Sequence, residues 1–171
     1  RAGAAPGRPT GTCGTGGFVG SSPGDTLRRS KNQLLSTVGY RLDGVVTYAL
    51  EGSIFVAGSA IQWRRDALQV IDSAPDSAAI AEAHGIERDV IVVPAFTGLG
   101  APYWDPDARG AVLGLTRGSG REALVTATLQ SVALQTWDLV GAIREDGVTP
   151  AEIRVDGGMV ANDWFLQFLA D

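Results

Sequence analysis

The chain has 171 residues, of which 44% are hydrophobic and 19% are charged, enough for one substantial core. Its net charge of −5 argues against nucleic acid and anionic membranes as partners, because both would be repelled. A single cysteine, Cys13, and a single histidine, His84, exclude an internal disulfide and a Cys/His metal cluster. With no apolar leader and no long apolar run, these features predict a cytoplasmic protein without a resident metal site.

The predicted elements begin with an irregular segment and a turn. Residues 1–11 are rich in Gly, Pro, Arg and Ala without a period and are set aside from the fold. The run 14–19 predicts a glycine-rich turn that enters a strand. Residues 22–25, Ser-Pro-Gly-Asp, predict a reversal like that of a hairpin.

A hairpin and two helices follow. Strands are predicted over 34–40 and 45–50, with Asp43-Gly44 as the signal for the turn between them. Residues 53–68 predict a helix whose first half is apolar almost all round and whose end returns to solvent at Arg64-Arg65-Asp66. A short helix over 76–84 is closed by Gly85.

The second half alternates strands and helices. A buried strand over 90–93 and a strand over 110–115 flank an aromatic- and glycine-rich loop, 96–106, whose Tyr103 and Trp104 are interpreted as loop anchors or interdomain contacts. Ser119 and Glu122 have the spacing of a capping box.

A long amphipathic helix is predicted from that capping box to about residue 147, followed by a strand over 153–156 and a helix over 161–170. This order predicts an α/β fold with a mixed sheet flanked by helices.

Three glycine-containing segments could carry chemistry, and each has a structural alternative. The turn 14–17 offers backbone N–H groups to an anion, or is a plain hairpin turn. Gly58 and Gln62, one helical turn apart, leave room for a ligand or for close helix packing. Gly157-Gly158 with Asn162 suits a nucleotide, or is only a turn that enters a helix. For Asp156, which ends a strand, a turn-stabilising role is favoured over an approach to a metal, and His84 is interpreted as a surface residue.

Seven blocks in order carry a family resemblance: 14–16, 48–52, 60–63, 94–106, 108–110, 114–118 and 155–158. Through them residues 12–171 resemble the C-terminal part of the FGGY carbohydrate kinases, and the 99–105 loop favours the members that act on glycerol. The resemblance implies the actin-like, ribonuclease H-like ATPase fold, in which two related domains close over ATP. Since the chain starts without Met and ends within a predicted helix, we expect a domain incomplete at both ends.

The resemblance also implies a reaction and its residues. The γ-phosphoryl group of ATP would pass to a terminal hydroxyl of glycerol in the presence of Mg²⁺, leaving ADP. Phe18 matches an aromatic residue that packs against the carbon backbone of glycerol. The residues implied around the nucleotide are Thr15, Gly16, Gly58, Gln62, Gly158 and Asn162.

Other parts of the enzyme are implied to lie outside this chain. The proton-accepting Asp would fall upstream of Arg1, in or near a missing N-terminal kinase domain, so we expect the chain alone to be inactive and the full-length protein to be a homo-oligomer. Cys13 and Gly17 depart from the bulkier residues usual in the family. Two alternatives stay open, a kinase for another polyol or sugar such as xylulose or gluconate, and a non-catalytic nucleotide-binding protein of actin-like fold.

Overall fold

The computed structural model describes residues 10–149 and 152–171. Residues 1–9 of the set-aside segment therefore lie outside the described residues, whereas Thr10 and Gly11 begin the first strand. The strands are β1 Thr10–Cys13, β2 Gly17–Gly24, β3 Leu35–Leu42, β4 Val45–Ile54, β5 Ile91–Val93, β6 Ala111–Leu113 and β7 Arg154–Asp156. The helices are α1 Gly58–Asp66, α2 Asp76–His84, α3 Arg121–Glu145, a 3₁₀ turn Gly158–Ala161, and α4 Asp163–Ala170.

The main sheet has five strands in the order β3-β4-β2-β1-β7. Neighbouring strands are antiparallel except β1 and β7, which run parallel. The predicted mixed α/β sheet is therefore confirmed, although β5 and β6 form a separate antiparallel pair. Because β7 comes from the far end of the described chain, the sheet brings the segment after β7 next to the segment after β1.

The predicted β3–β4 hairpin is confirmed, with positive φ angles of 49° at Asp43 and 83° at Gly44 as a tight two-residue turn requires. The predicted reversal at 22–25 is wrong, because β2 continues to Gly24 and pairs with β4 instead of β3. A register shift between Ser21 and Gly24 accommodates Pro23, which has no N–H to give to the ladder.

The helix predicted from residue 53 begins only at Gly58. Ser53 and Ile54 extend β4 instead, opposite Phe18 and Gly17 of β2, so backbone pairing with β2 prevails over the local apolar pattern. The later start of α1 makes the Gly58 segment a helix N-terminus that meets the end of β4.

The end of α1 also differs from expectation at Arg64, which was predicted to face solvent. Arg64 is only 1% exposed, its Nε donates to Thr128 Oγ1 at 2.9 Å, and its guanidinium lies 4.8 Å from the Trp63 ring centroid. Burial lowers the pKa of this guanidinium. The side chain thus ties α1 to α3, a role that its charge alone did not suggest.

The other predicted helices are confirmed with changes at their ends. α2 ends before Gly85, whose φ is 83°. The predicted capping box is wrong, because Gly120 is the residue at the start of α3 and the Ser119 hydroxyl accepts from Thr116 N at 3.0 Å.

Two other elements also differ from the prediction. Strand β5 is covered on one face only, since Val92 is buried and Ile91 is 54% exposed. The final helix is shorter than predicted and starts at Asp163 after the 3₁₀ turn.

Helix α3 organises the core. Its N-terminal half packs with Cys13, Ala57 and Phe165, and its C-terminal half packs with the sheet residues Val19 and Leu50. The buried face of the sheet, the start of α1 and the 3₁₀ turn are therefore fixed relative to one another through α3. Among the described helices, none combines the length and hydropathy needed to cross a membrane.

Candidate functional site

The glycine-rich turn between β1 and β2 is held by the first residues of α1. Gly14 O accepts from Gly58 N at 2.8 Å, and Thr15 O accepts from Ala57 N at 3.0 Å and from Ser59 N at 3.1 Å. The Ser59 hydroxyl donates to the same Thr15 oxygen at 2.8 Å. The free N–H groups at the start of α1 are thus used to fix the carbonyl groups of the turn.

The segment after β7 packs against the same turn. Thr12 of β1 is the register partner of Asp156 of β7, and Gly157 follows with a φ of 97°. A Cβ atom at Gly157 would lie 2.5 Å from Cys13 O, so β7 enters the 3₁₀ turn in close contact with the end of β1. The structure therefore brings together the three glycine-containing segments that are far apart in the sequence.

The space around these glycines separates the alternatives for each. At Gly58 a Cβ atom would lie 2.5 Å from Gly14 O, so close packing is sufficient to require glycine there. At Gly16 a Cβ atom would lie 2.8 Å from Ile54 O, so close packing is a sufficient reason for glycine there too. At Gly158 no atom lies within 4 Å of the Cβ position. Gly158 is thus the glycine of this set whose missing side chain leaves an open surface.

Three of the predicted site side chains are exposed. Thr15 lies at the tip of the turn, and Gln62 lies one helical turn after Gly58. Neither side chain makes a hydrogen bond to another described residue. Phe18 is 49% exposed on β2, on the opposite face from the buried Val19. These side chains are accessible to a ligand, but the turn itself is held by backbone groups.

Asn162 has a structural role that supports the helix-entry interpretation. Its Oδ1 accepts from Phe165 N at 2.9 Å and caps α4, and its Nδ2 donates to Ser77 Oγ at 3.4 Å. The amide therefore joins the start of α4 to α2. A contact between Asn162 and a nucleotide stays a prediction.

Charge at the site is sparse. Burial, with a smaller contribution from Asp156, raises the pKa of the Cys13 thiol, which is 3% exposed and packs as a small apolar group. Asp156 is exposed and its carboxylate accepts no hydrogen bond from the described residues, so the turn-stabilising interpretation is wrong for it. No group of three metal-ligating side chains occurs within residues 10–149 and 152–171.

The aromatic loop 96–106 is anchored by side chains. The Tyr103 hydroxyl donates to Asp138 Oδ2 at 2.8 Å, and Trp104 Nε1 donates to Gln33 O at 2.6 Å. The Trp104 ring also packs edge-on against Phe55 at 6.1 Å between centroids. The interpretation of both residues as loop anchors is confirmed, with partners that belong to this chain.

His84 is a surface residue, as predicted, but it has a partner. Its Nε2 lies 2.7 Å from Glu87 Oε2, and the other carboxylate oxygen accepts from the backbone N–H groups of Arg88, Asp89 and Val90. The carboxylate of Glu87 therefore fixes the segment between α2 and β5.

Ser59 is the residue of this region that sequence analysis missed. A helix predicted to start at residue 53 made position 59 an interior position, where a serine carries no signal. Once α1 is known to begin at Gly58, a serine in its first turn indicates a hydroxyl available to a nearby backbone group.

Comparisons with known proteins show which family the chain is similar to. A sequence model described as the FGGY family of carbohydrate kinases, C-terminal domain, matches residues 10–171. The chain is 58% identical to glycerol kinase 1 of Pseudomonas aeruginosa and 60% identical to glycerol kinase of Ectopseudomonas mendocina, each over 97% of this chain and 34% of the relative. It thus spans about a third of the length of these curated relatives.

The structure is also similar to a crystal structure of Plasmodium falciparum glycerol kinase with ADP. The TM-score is 0.88 and the sequence identity is 35%, over 95% of this chain and 33% of that chain.

Proposed function

The chain belongs to the FGGY family of carbohydrate kinases, and on that premise we propose that it is the nucleotide-binding half of an enzyme that phosphorylates glycerol with ATP. The fold is the α/β, actin-like ATPase fold of these kinases. The observation that carries the proposal is the convergence of three glycine-containing segments at the end of β1, where Gly158 leaves an open surface.

Similarity to named relatives supports glycerol as the acceptor. Relatives with 58% and 60% identity over 97% of the chain are both glycerol kinases. Since both of these relatives are glycerol kinases, the comparison favours glycerol as the acceptor. A kinase for xylulose or gluconate is the weaker proposal. The structural relative with ADP supports a nucleotide as the ligand of this half.

The chemistry of phosphoryl transfer fits what this half offers. The reaction needs the phosphates to be positioned and their charge to be balanced, and needs no covalent intermediate. Backbone N–H groups of a glycine-rich turn can approach phosphate oxygens where side chains would block them. We propose that Thr15 and Gly16 contact the phosphates and that Phe18 contacts the carbon backbone of glycerol.

The remaining residues are proposed to surround the base and the sugar. Gly158 offers the open surface, and Gln62 offers an amide without a hydrogen bond to another described residue. Gly58 contributes indirectly, because its packing against Gly14 brings α1 to the turn. Asn162 is proposed to contact the nucleotide while it caps α4.

A magnesium ion is compatible with this site. Mg²⁺ in kinases is held largely by substrate phosphates, water and one or two carboxylates. Asp156 fits that requirement because it is exposed beside β1 and its carboxylate accepts no hydrogen bond from the described residues. When bound, the ion would balance phosphate charge, and Asp156 is the residue that would help to hold it.

We further propose that residues 12–171 form the C-terminal actin-like domain and that a preceding domain supplies the catalytic Asp and most polyol contacts. The assembled enzyme is proposed to be a cytoplasmic homo-oligomer. In the purified 171-residue chain we therefore expect nucleotide binding without glycerol-dependent ATP turnover.

The test is calorimetric titration of Mg²⁺-ADP into the 171-residue chain and into Gly158→Leu. Because no atom lies within 4 Å of the Cβ position, the leucine should be tolerated by the fold but should cover the open surface. We expect saturable binding to the unsubstituted chain and binding at least about tenfold weaker to Gly158→Leu.

The matched control is Gly141→Leu in α3, where the Cβ position is equally open but lies beside the aromatic loop instead of the glycine turn. This variant should bind Mg²⁺-ADP like the unsubstituted chain. A folded chain that binds no nucleotide would contradict the proposed function and favour a diverged protein of the same fold.

A further inference from the structure

We infer that Ser59 is a positioning residue for the phosphate-binding turn, acting through the carbonyl group of Thr15. The inference rests on the proposed function and adds a residue to the same site. Its basis is the hydrogen bond at 2.8 Å from the Ser59 hydroxyl to Thr15 O, the shortest of three that reach this oxygen.

The direction of the turn's carbonyl groups decides the direction of its N–H groups. In a trans peptide the C=O and the following N–H point in opposite directions. Gly14 O and Thr15 O both point at the start of α1, so the N–H groups of Thr15 and Gly16 point away from it. Neither N–H group donates to another described residue, which leaves both available to an anion.

The three hydrogen bonds to Thr15 O also affect the strength of these donors. Ala57 N, Ser59 N and the Ser59 hydroxyl donate to the one oxygen at 3.0, 3.1 and 2.8 Å. Hydrogen bonds in series polarise the peptide group between them, so a well-bonded Thr15 carbonyl makes Gly16 N–H a stronger donor. The partial positive charge of the α1 N-terminus thereby reaches the phosphate through the Thr15–Gly16 peptide.

Ser59 is the one side chain in this set of contacts. The N–H donors of α1 are present whatever the residue types, but the hydroxyl is lost on substitution by alanine. Removal of one donor would let the Thr15–Gly16 peptide rotate and would weaken contacts with phosphate, without changing the surface at Gly158 that is proposed for the rest of the nucleotide.

The experiment compares Ser59→Ala with Ser59→Thr, which keeps the hydroxyl. Dissociation constants are measured by calorimetry for Mg²⁺-ADP and for adenosine, which has no phosphate. We expect Ser59→Ala to weaken Mg²⁺-ADP by about three- to tenfold, the effect of one lost hydrogen bond, with adenosine changed less than about twofold. Ser59→Thr should restore most of the Mg²⁺-ADP affinity.

The control is Ser22→Ala, which removes another serine hydroxyl that donates to a backbone carbonyl, that of Tyr48, at 3.1 Å. It should change neither dissociation constant. Equal weakening of ADP and adenosine by Ser59→Ala, or no weakening of either, would overturn the positioning role. Failure of the unsubstituted chain to bind Mg²⁺-ADP would instead overturn the proposed function, and the inference with it.

Discussion

The glycine turn at the end of β1 and the aromatic loop 96–106 are both irregular segments, but they are held in different ways. The turn is fixed mainly by backbone groups, as in the hydrogen bonds from Ala57 N and Gly58 N to its carbonyl oxygens. The loop has backbone hydrogen bonds as well, such as that from Ala101 N to Ser53 O, but side chains also tie it to the rest of the chain, through Tyr103 to Asp138 and through Trp104 to Gln33 O. The conspicuous residues thus anchor a loop, whereas the proposed binding surface is made by residues with little or no side chain.

This difference separates two effects of substitution. A side chain added within the glycine turn should disturb both stability and nucleotide binding, because the backbone there is both the support and the proposed ligand contact. A side chain removed from the aromatic loop should affect stability alone, because its contacts face other parts of the same chain. The two regions can therefore be distinguished by measuring unfolding and binding on the same variants.

The largest effect is expected for Gly58→Val. Its Cβ atom would lie 2.5 Å from Gly14 O, a backbone atom, so α1 and the turn must move apart. We expect the free energy of unfolding to fall by about 3 kcal/mol and Mg²⁺-ADP binding to be lost. Chemical denaturation and calorimetry measure the two effects.

Gly141→Val is the control for that variant, because nothing lies within 4 Å of its Cβ position. Valine and glycine differ little in helix propensity, so the free energy of unfolding should change by less than about 0.5 kcal/mol. If Gly58→Val bound Mg²⁺-ADP as tightly as the unsubstituted chain, the contact between α1 and the turn would have no part in the site.

A smaller effect is expected for Trp104→Ala in the aromatic loop. The substitution removes the hydrogen bond to Gln33 O and the edge contact with Phe55, but Trp104 is 38% exposed, so the loss is less than for a buried tryptophan. We expect the free energy of unfolding to fall by about 2 kcal/mol and the affinity for Mg²⁺-ADP to stay unchanged.

Trp137→Ala is the matched tryptophan, 61% exposed and in contact with Arg144 through its ring face. This substitution should lower the free energy of unfolding by less than about 1 kcal/mol. A loss of Mg²⁺-ADP affinity in Trp104→Ala but not in Trp137→Ala would show that the aromatic loop belongs to the nucleotide site, and the comparison between the two regions would fail.

The smallest effect is expected at Glu87, where a side chain fixes a backbone segment. The backbone hydrogen bond from Val90, followed by the contact with His84, lowers the pKa of Glu87 from its ordinary 4.5 to about 2. Because the folded pKa is the lower one, this stabilisation is complete above pH 4.5 and is lost as the pH falls toward 2. Glu87→Gln should destabilise the chain by about 1 kcal/mol near pH 7.

Denaturant unfolding at neutral pH and near the lower pKa measures this contribution. The difference between the unsubstituted chain and Glu87→Gln should shrink as the pH falls, since the unsubstituted carboxylate is then protonated. Glu82→Gln, which removes the same charge from an exposed position on α2, should have little effect at either pH. A pH-independent difference for Glu87→Gln would assign its effect to packing.

Local signals predicted the elements whose ends are set by their own residues. Asp43-Gly44 predicted the β3–β4 turn, and Gly85 predicted the end of α2, because both depend on backbone angles that few residues adopt. The start of α1, the extension of β2 through Pro23, and the burial of Arg64 were not predictable in this way. Each depends on a partner, respectively β2, β4 and Thr128, that is distant in the sequence.

The sequence by itself determined the mixed α/β class, most helices, and the resemblance to the FGGY kinases, because these follow from local periodicity and from ordered motifs. Only the tertiary structure decided which glycines are needed for packing, as at Gly58, and which leave an open surface, as at Gly158. It also decided that Ser59 contacts Thr15. The physical reason is that the type of a glycine or serine does not indicate its neighbours in space. The sheet pairs β1 with β7, and packing on α3 holds the start of α1 beside them.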